Sequence, residues 1–281
     1  MRRYLLTVVI GCCVLLFACK KDKSAEPGGG GNAAGGLLTK TVTKQGNDSI
    51  SVAYGYDNQK RISSYSATGA ISGTATTFDL KITRNGQGVI QRMVQKSNIL
   101  TSIGIDSVVQ TVYYDAARSR YTASANRYVS SLGEFRDSTS FTYNNAGRIT
   151  GQEYFFDDGT TGGYIESEKT EYTYDANGNI TREKMFVYDE TTGTYDAYLE
   201  TAYEYDTKVN PLNIGAEAFL LGDLSLASKN NRTKVTSTDL TDPDNNDVTT
   251  ITYVYNTSDK PASAVLASST GGNVQVTYTY Q

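Results

Sequence analysis

The 281-residue chain contains no histidine and no tryptophan, and only four prolines and three cysteines. Without histidine there is no Ser-His-Asp or Cys-His nucleophile, no imidazole general base, and no metal site that needs an imidazole ligand. The cysteines, Cys12, Cys13 and Cys19, all fall at the start, so loss of a leader ending at Ala18 leaves Cys19 alone. That excludes a disulfide, and thiol chemistry too if Cys19 is modified. Removing residues 1–18 also takes Arg2 and Arg3, leaving 24 basic residues against 30 acidic ones. No basic stripe survives, so nucleic acid is not an expected partner, and nothing in the sequence asks for a cofactor or a resident metal. What is present in quantity is tyrosine (22 residues) and glycine (26), with abundant Thr and Ser, the composition of an all-β chain.

The longest apolar run, Tyr4 to Phe17, is fourteen residues, short of the roughly 20 a spanning helix needs. A basic start, that apolar run, small Ala18 and then Lys20-Lys21-Asp22-Lys23 are the parts of a bacterial signal peptide over residues 1–18. Leu16-Phe17-Ala18-Cys19 resembles a lipoprotein box, which implies cleavage before Cys19 and acylation (palmitate among the chains) of its sulfur and amine. Val9-Ile10-Gly11-Cys12 is a competing box, but cleavage there would leave an apolar stub from Cys13 to Phe17. Several acyl chains on one cysteine give stable membrane attachment, where a single chain binds only marginally. Residues 19–36 then form a lipidated cysteine and a Gly-rich tether. The expected location is the cell envelope, lipid-anchored at the outer membrane, with periplasmic and surface orientations both open.

From residue 37 to 281 the chain repeats. An aromatic-x-Tyr-Asp/Asn-x-x-Gly-x-Ile pattern reads Tyr143-Asn144-Asn145-Ala146-Gly147-Arg148-Ile149 and Tyr174-Asp175-Ala176-Asn177-Gly178-Asn179-Ile180, with looser copies elsewhere. The copies open at positions 56, 84, 114, 143, 174, 205 and 255, so the spacing is 28 to 31 residues until an insertion lengthens the last to 50. Each copy reads as a hairpin. Ile50, Val52, Tyr54 and Tyr56 alternate with Ser49, Ser51, Ala53 and Gly55 at the strand period of two. Asp or Asn opens the turn and Gly supplies a positive φ. With flanking strands at Leu37–Lys44 and Asn273–Tyr280 this predicts an antiparallel meander of about sixteen strands. A sheet that wide curls or closes, so a strongly curved sheet or barrel is expected. Ile180, Arg182, Lys184 and Phe186 fall on one face by simple alternation, which predicts one wall wet on both sides.

Sixteen strands suggest a membrane pore, and the charges argue against it. Tyr164–Tyr174 places Glu166 and Glu168 on one face and Lys169 and Glu171 on the other by alternation. A charged residue at the bilayer midplane costs about 2–4 kcal/mol for Arg or Lys. The barrel is therefore expected to sit in water.

The Tyr-Asp-x-x-Gly-Arg/Asn-Ile units resemble the YD repeats of RHS-type proteins. Together with the lipobox and tether, residues 37–281 are similar to a family of Bacteroidetes envelope lipoproteins of unknown function with a porin-like β fold. Tyr205-Asp206, Asn210-Pro211-Leu212 and Leu226-Ala227-Ser228-Lys229-Asn230-Asn231 resemble that family's sixth-repeat pattern. The resemblance implies a fold and carries no activity. No cargo domain follows the repeats, so the shell role of RHS toxins does not transfer.

Carboxylates are the only general acid/base candidates left. Glu153, Glu166, Glu168, Glu171 and Glu183 lie on predicted strands, and no spacing among them singles out a glycosidase pair. Asp242-Pro243-Asp244-Asn245-Asn246-Asp247 resembles the start of a calcium loop, but Asp247 stands where the turn glycine belongs and Tyr253 where the closing Glu belongs. It is read as a solvated hairpin loop, and Asp157-Asp158-Gly159 as a turn. Tyr54, Tyr56, Tyr143, Tyr172, Tyr174, Tyr203, Tyr205, Tyr253, Tyr255, Tyr278 and Tyr280 fall on one face as a ladder. The ladder could be an aromatic ligand platform, but a chain without tryptophan and with few leucines needs these rings in its core. The insertion at 207–231 holds an apolar stretch from Ile214 to Leu226, read as a short helix that plugs a barrel end or covers the sheet, with an exposed docking patch as the alternative. The functional expectation is a non-catalytic, membrane-anchored envelope protein that binds a protein or glycan. The alternatives are a carboxylate-only glycan hydrolase and a spacer without ligand.

Overall fold

The computed structural model describes residues 36–130, 133–157, 163, 165–242 and 244–281. The leader, Cys12, Cys13, Cys19 and the tether up to residue 35 lie outside the described residues, as do Asp158 and Gly159. Sixteen strands form one closed antiparallel barrel. They are β1 Leu38–Gln45, β2 Asp48–Tyr56, β3 Ile62–Ile71, β4 Thr74–Arg84, β5 Ile90–Ser97, β6 Ile105–Asp115, β7 Arg120–Ser130, β8 Gly133–Tyr143, β9 Ile149–Asp157, β10 Ile165–Tyr174, β11 Ile180–Asp189, β12 Thr194–Val209, β13 Asn230–Asp239, β14 Asn246–Tyr255, β15 Pro261–Ser268 and β16 Asn273–Tyr280. Each strand pairs with its chain neighbours, and β1 closes on β16 with Thr41 opposite Tyr278. Beyond that ladder, Leu37 and Gln281 exchange backbone bonds of 2.8 and 3.0 Å.

The sequence repeat is one structural device used seven times. The turn after each aromatic strand lies at the same end of the barrel. In five of the seven, the opening Asp or Asn donates its backbone N–H to the residue four ahead and accepts one from the residue three ahead; Asp57, Asn85, Asn144, Asp175 and Asn256 do so. Their side-chain oxygens accept further backbone N–H bonds at 2.8–3.1 Å, holding the turn shut. A register shift follows in every copy, at Gly55/Tyr56, Thr83/Arg84, Tyr113/Tyr114, Thr142/Tyr143, Thr173/Tyr174, Glu204/Tyr205 and Val254/Tyr255. This bulge changes the parity of the return strand. Ile62, Ile90, Ile149 and Ile180 all point inward and are buried. Ile180 therefore does not share a face with Arg182, Lys184 and Phe186, as unbroken alternation predicts. A second shift between Glu166 and Glu168 likewise puts those two carboxylates on opposite faces.

The tyrosine ladder is core. Tyr54, Tyr172, Tyr203 and Tyr278 are buried, and the repeat tyrosines pack half-buried against the same cluster. Their hydroxyls sew neighbouring units together: Tyr56 donates to the carbonyl of Leu38, Tyr143 to Tyr121, Tyr174 to Ile149, Tyr205 to Ile180 and Tyr280 to Pro261, at 2.5–2.9 Å. A sixteen-stranded barrel ordinarily leaves an aqueous channel. Here the repeat end is filled by these rings and by the insertion.

The insertion, residues 210–229, is shorter than the 207–231 expected, because β12 runs on to Val209 and β13 begins at Asn230. Two single turns replace the expected helix: α2 at Glu217–Leu221, ended by Gly222 at φ +69°, and a 3₁₀ turn at Leu224–Leu226. Leu212, Ala218, Phe219, Leu220 and Leu226 are buried in the barrel core, with the Phe219 ring edge-on to Tyr172 at 5.1 Å. The plug reading holds, and the exposed-patch alternative does not. A second short helix, α1 at Asn98–Ser102, has no counterpart in the sequence reading. It packs against β4, β5 and β6 at the opposite end, tied to β4 by Asn98, and buries Leu100 with Ile105, Val108 and Tyr128 of β7.

Outward positions are mostly Ser, Thr and charge, with Tyr113, Val254 and Val265 exposed among them. Asp79 and Lys81 on β4, Arg127 on β7, Lys169 and Glu171 on β10, Lys184 on β11, and Lys234 on β13 lie mid-strand, each out of phase with an inward neighbour that packs in the core or lumen. Among the described residues, these mid-strand charges interrupt any apolar belt of bilayer height.

Candidate functional site

Away from the plug, the barrel interior turns polar over strands β7 to β12. Asp137 on β8 is 2% exposed and accepts from Asn126 Nδ2 at 2.7 Å and from the Tyr128 hydroxyl. Burial raises its pKa, outweighing the bonds from Tyr128, Asn126 and Tyr154. Glu168 on β10 is also raised by burial. Tyr154 lies within the field of both carboxylates, and Tyr198 within that of Glu168 and Glu183. Glu183 on β11 accepts from the Tyr203 hydroxyl at 2.7 Å, and burial raises it against the pull of that bond and of Arg232. Tyr172 donates to Gln152 Oε1 one strand away. The interior thus presents a row of carboxylates set among tyrosines, Asp137 and Glu183 hydrogen-bonded to their hydroxyls.

Beside this row, towards the end opposite the plug, large apolar residues on the inner face are accessible. Phe135 on β8, Phe156 on β9 and Val187 on β11 are 50%, 41% and 44% exposed, though their register with Tyr128, Asp137 and Glu168 turns them to the inner face. Large apolar groups left half-exposed on an inner rim beside polar groups are the ordinary makings of a binding mouth.

Of the five sequence candidates, Glu168 and Glu183 come to the interior. Glu153, Glu166 and Glu171 do not: they face outward to Ser140, Tyr195 and Lys169 respectively. Asp137, Tyr128, Tyr154, Tyr198 and Arg232 were not singled out by sequence. A signal for Asp137 existed: Phe135, Asp137, Thr139 and Phe141 share one period-two face, which places an acid among residues that need burial. The calcium-like stretch is a surface hairpin. Asp247 accepts from the hydroxyls of Ser268, Ser269 and Thr270 at 2.7–3.0 Å, which hold it well below the usual carboxylate range, and Asp242 is exposed. Among the described residues, no three Asp, Glu, Cys or His side chains are grouped to hold a metal ion. Buried carboxylates among tyrosine hydroxyls offer hydrogen-bond acceptors and negative charge, so the row can hold hydroxyl-rich or cationic groups.

The plug is fixed to the wall by polar contacts. Arg84, the last residue of β4, makes a bidentate pair with Glu217 of α2, which also accepts from Tyr121 at 3.1 Å. Asn210 Nδ2 donates to the carbonyls of Ser225 and Ser228 at 2.8 and 2.9 Å. Ser228 Oγ receives the Ile180 N–H at 3.2 Å and meets the Tyr205 hydroxyl at 2.9 Å.

Solved structures share this architecture. A porin-like protein from Bacteroides uniformis superposes with a TM-score of 0.55 at 10% identity, covering 89% of this chain and 98% of that one. A porin-like protein from Bacteroides vulgatus gives 0.54 at 12% identity, covering 87% and 98%. At these identities the likeness is one of fold. No family model and no curated protein matches the sequence.

Proposed function

We propose that this chain is a lipid-anchored, non-catalytic binding protein of the cell envelope, and that it takes its partner at the end of the barrel opposite the plug. The observation that carries the reading is the combination of a plugged repeat end with a charged outer wall and a half-exposed Phe135–Phe156–Val187 mouth. A plugged barrel is not a conduit, and a charged wall is not lipid-facing, so the porin-like fold serves as a scaffold for a mouth. The lipobox supports anchoring through Cys19, and the porin-like likenesses from Bacteroides accord with an envelope setting. The partner classes are an envelope protein or a glycan. The test is cross-linking in native membranes from a photoreactive residue at position 156, using a C-terminally tagged chain. One specific adduct, lost in Phe135→Ser/Phe156→Ser, is expected. If the same adducts form from a reporter on outward Thr277, the mouth is not the site.

A second reading rests on Glu168 and Glu183, two inward carboxylates with raised pKa on paired strands. A glycosidase needs one acid held protonated near neutral pH and a second carboxylate opposite it. Release of reducing ends from envelope polysaccharide, abolished by Glu168→Gln, would establish this reading over the first.

A further inference from the structure

The mouth carries charge of one sign. On the inner face, Val187 of β11 stands between two acids, opposite Glu168 of β10 on one side and Asp196 of β12 on the other. Tyr154 of β9 continues the row beyond Glu168, and half-exposed Phe156 lies two residues further along the same face. Asp137 accepts bonds from Asn126 and Tyr128, and Glu183 accepts one from Tyr203. Glu168 and Asp196 differ from these. Neither forms a hydrogen bond or an ion pair among the described residues, although Glu168 is half-buried.

No cation on this stretch of wall reaches the two acids. Arg127, Arg136, Lys169, Arg182 and Lys184 fall on the outward phase of their strands, and Arg148 stays in a turn at the plugged end, bonded to the Asp175 carbonyl. A carboxylate in a partly desolvated wall without a counter-charge is relieved by a cation brought from outside. The apolar neighbours say which kind. Val187 between the acids and Phe156 beside them give a hydrocarbon stem a surface to lie on while its charged head meets an acid, which is how a lysine or arginine side chain divides itself. A metal ion has no use for those apolar surfaces, and among the described residues no three acids are grouped to hold one. A neutral glycan leaves both charges unanswered, and an acidic glycan is repelled. From Phe135 on β8 to Asp196 on β12 the mouth crosses four inter-strand spacings, about 19 Å of wall, which exceeds one side chain and suits a short peptide segment.

We propose that the mouth takes a basic segment of a partner protein, with a Lys or Arg head group seated on Glu168 and Asp196 and its stem against Val187 and Phe156. This rests on the reading of that end as the binding end, and it names the chemistry of what binds there.

The test is binding of fluorescein-labelled pentalysine to the purified full-length protein, read by fluorescence anisotropy, with a labelled Gly-Ser pentapeptide as the neutral probe and spermidine as competitor. Saturable binding of pentalysine and none of the neutral probe is expected. Glu168→Gln/Asp196→Asn, which keeps both side-chain shapes, should weaken pentalysine binding by about tenfold or more. The outward pair Glu166→Gln/Glu171→Gln makes the same change in net charge and should weaken it by less than about twofold. Should the first variant not fold, Asp196→Asn alone, at an exposed position, decides in its place: a loss of about threefold or more supports the site. No saturable binding, or equal losses in the two double variants, overturns the proposal. Spermidine binding as tight as that of pentalysine overturns the protein partner in favour of a free polyamine. The photocross-link from position 156 separates this proposal from the reading beneath it. An adduct that survives Glu168→Gln/Asp196→Asn and is lost in Phe135→Ser/Phe156→Ser keeps the mouth and overturns its basic partner. Absence of any specific adduct overturns both.

Discussion

Tyr174 carries two jobs at once: its ring packs against the core, and its hydroxyl donates to the Ile149 carbonyl of the preceding unit at 2.5 Å. Tyr174→Phe keeps the ring and leaves that carbonyl unpaired, which costs about 1–2 kcal/mol. The expected result is a Tm lower by about 2–8 °C in a chain of this size, with an unchanged denaturant slope. The interior carboxylates make a second residue-scale prediction, about pH. Asp223 is pushed up to about 6 by burial, against the Ser225 hydroxyl and Arg232, and Asp137, Glu168 and Glu183 are raised for the same leading cause. A raised folded-state pKa gives stability that is complete below the unfolded value near 3.9 and is lost as pH rises through the folded one. Asp57 and Asp175 run the other way. Burial pushes them up, but hydrogen bonds from Arg61 and from Asn179 and Gly178 outweigh it, so their contribution is lost as pH falls. Stability should therefore peak at about pH 4–5 and decline towards pH 7. Urea midpoints across pH check this, and Asp223→Asn should flatten the decline between pH 4 and 7.

At the scale of elements, the repeated turn and the plug are the testable parts. Gly147 sits at φ +73° with open space where a Cβ would stand, so Gly147→Ala pays only for the left-handed backbone, about 1 kcal/mol. Gly178 has φ +93° and the Arg148 guanidinium 3.3 Å from that position, so Gly178→Ala should cost more. The plug is held by Arg84, whose side chain is 7% exposed, and Glu217. Arg84→Met should destabilise by about 3 kcal/mol by leaving Glu217 unpaired, and Arg84→Met/Glu217→Leu should recover part of the loss. A double-mutant cycle in urea measures the coupling. Legibility in the sequence divides along the same line. The turn was readable because Asp, Gly and the alternating Tyr strand are local signals. The Arg84–Glu217 pair was not, because its partners are 133 residues apart and belong to different repeats.

For the whole molecule, the wall and the plug predict behaviour opposite to that of a pore. Residues 36–281, produced without the preceding residues, should partition into the aqueous phase of a detergent cloud-point separation, and the full chain, on the proposed acylation of Cys19, into the detergent phase. Recovery of the unacylated barrel in detergent would show a lipid-facing wall and contradict the placement of Lys169, Glu171, Lys184 and Lys234 on the outside. The termini add one geometric fact. Leu37 pairs with Gln281, and Lys260 donates to the Gly36 carbonyl at 2.7 Å, so the chain enters and leaves at the plugged end.

The sequence by itself determined the all-β class, the number of strands, the hairpin turns and the inward tyrosines, because each follows from composition or from contacts within some thirty residues. Strand parity was readable only up to the first bulge. One unpaired residue exchanges inside for outside, which is why Ile180 and Arg182 part company, and why Glu166 turns to solvent while Glu168 turns to the interior. Tertiary structure alone decided the closure of β1 on β16, the seating of the insertion against Arg84, and the gathering of Asp137, Glu168 and Glu183 on one inner wall. Those depend on pairings between distant parts of the chain, and on where each bulge falls. Neither quantity is encoded in any local window of residues.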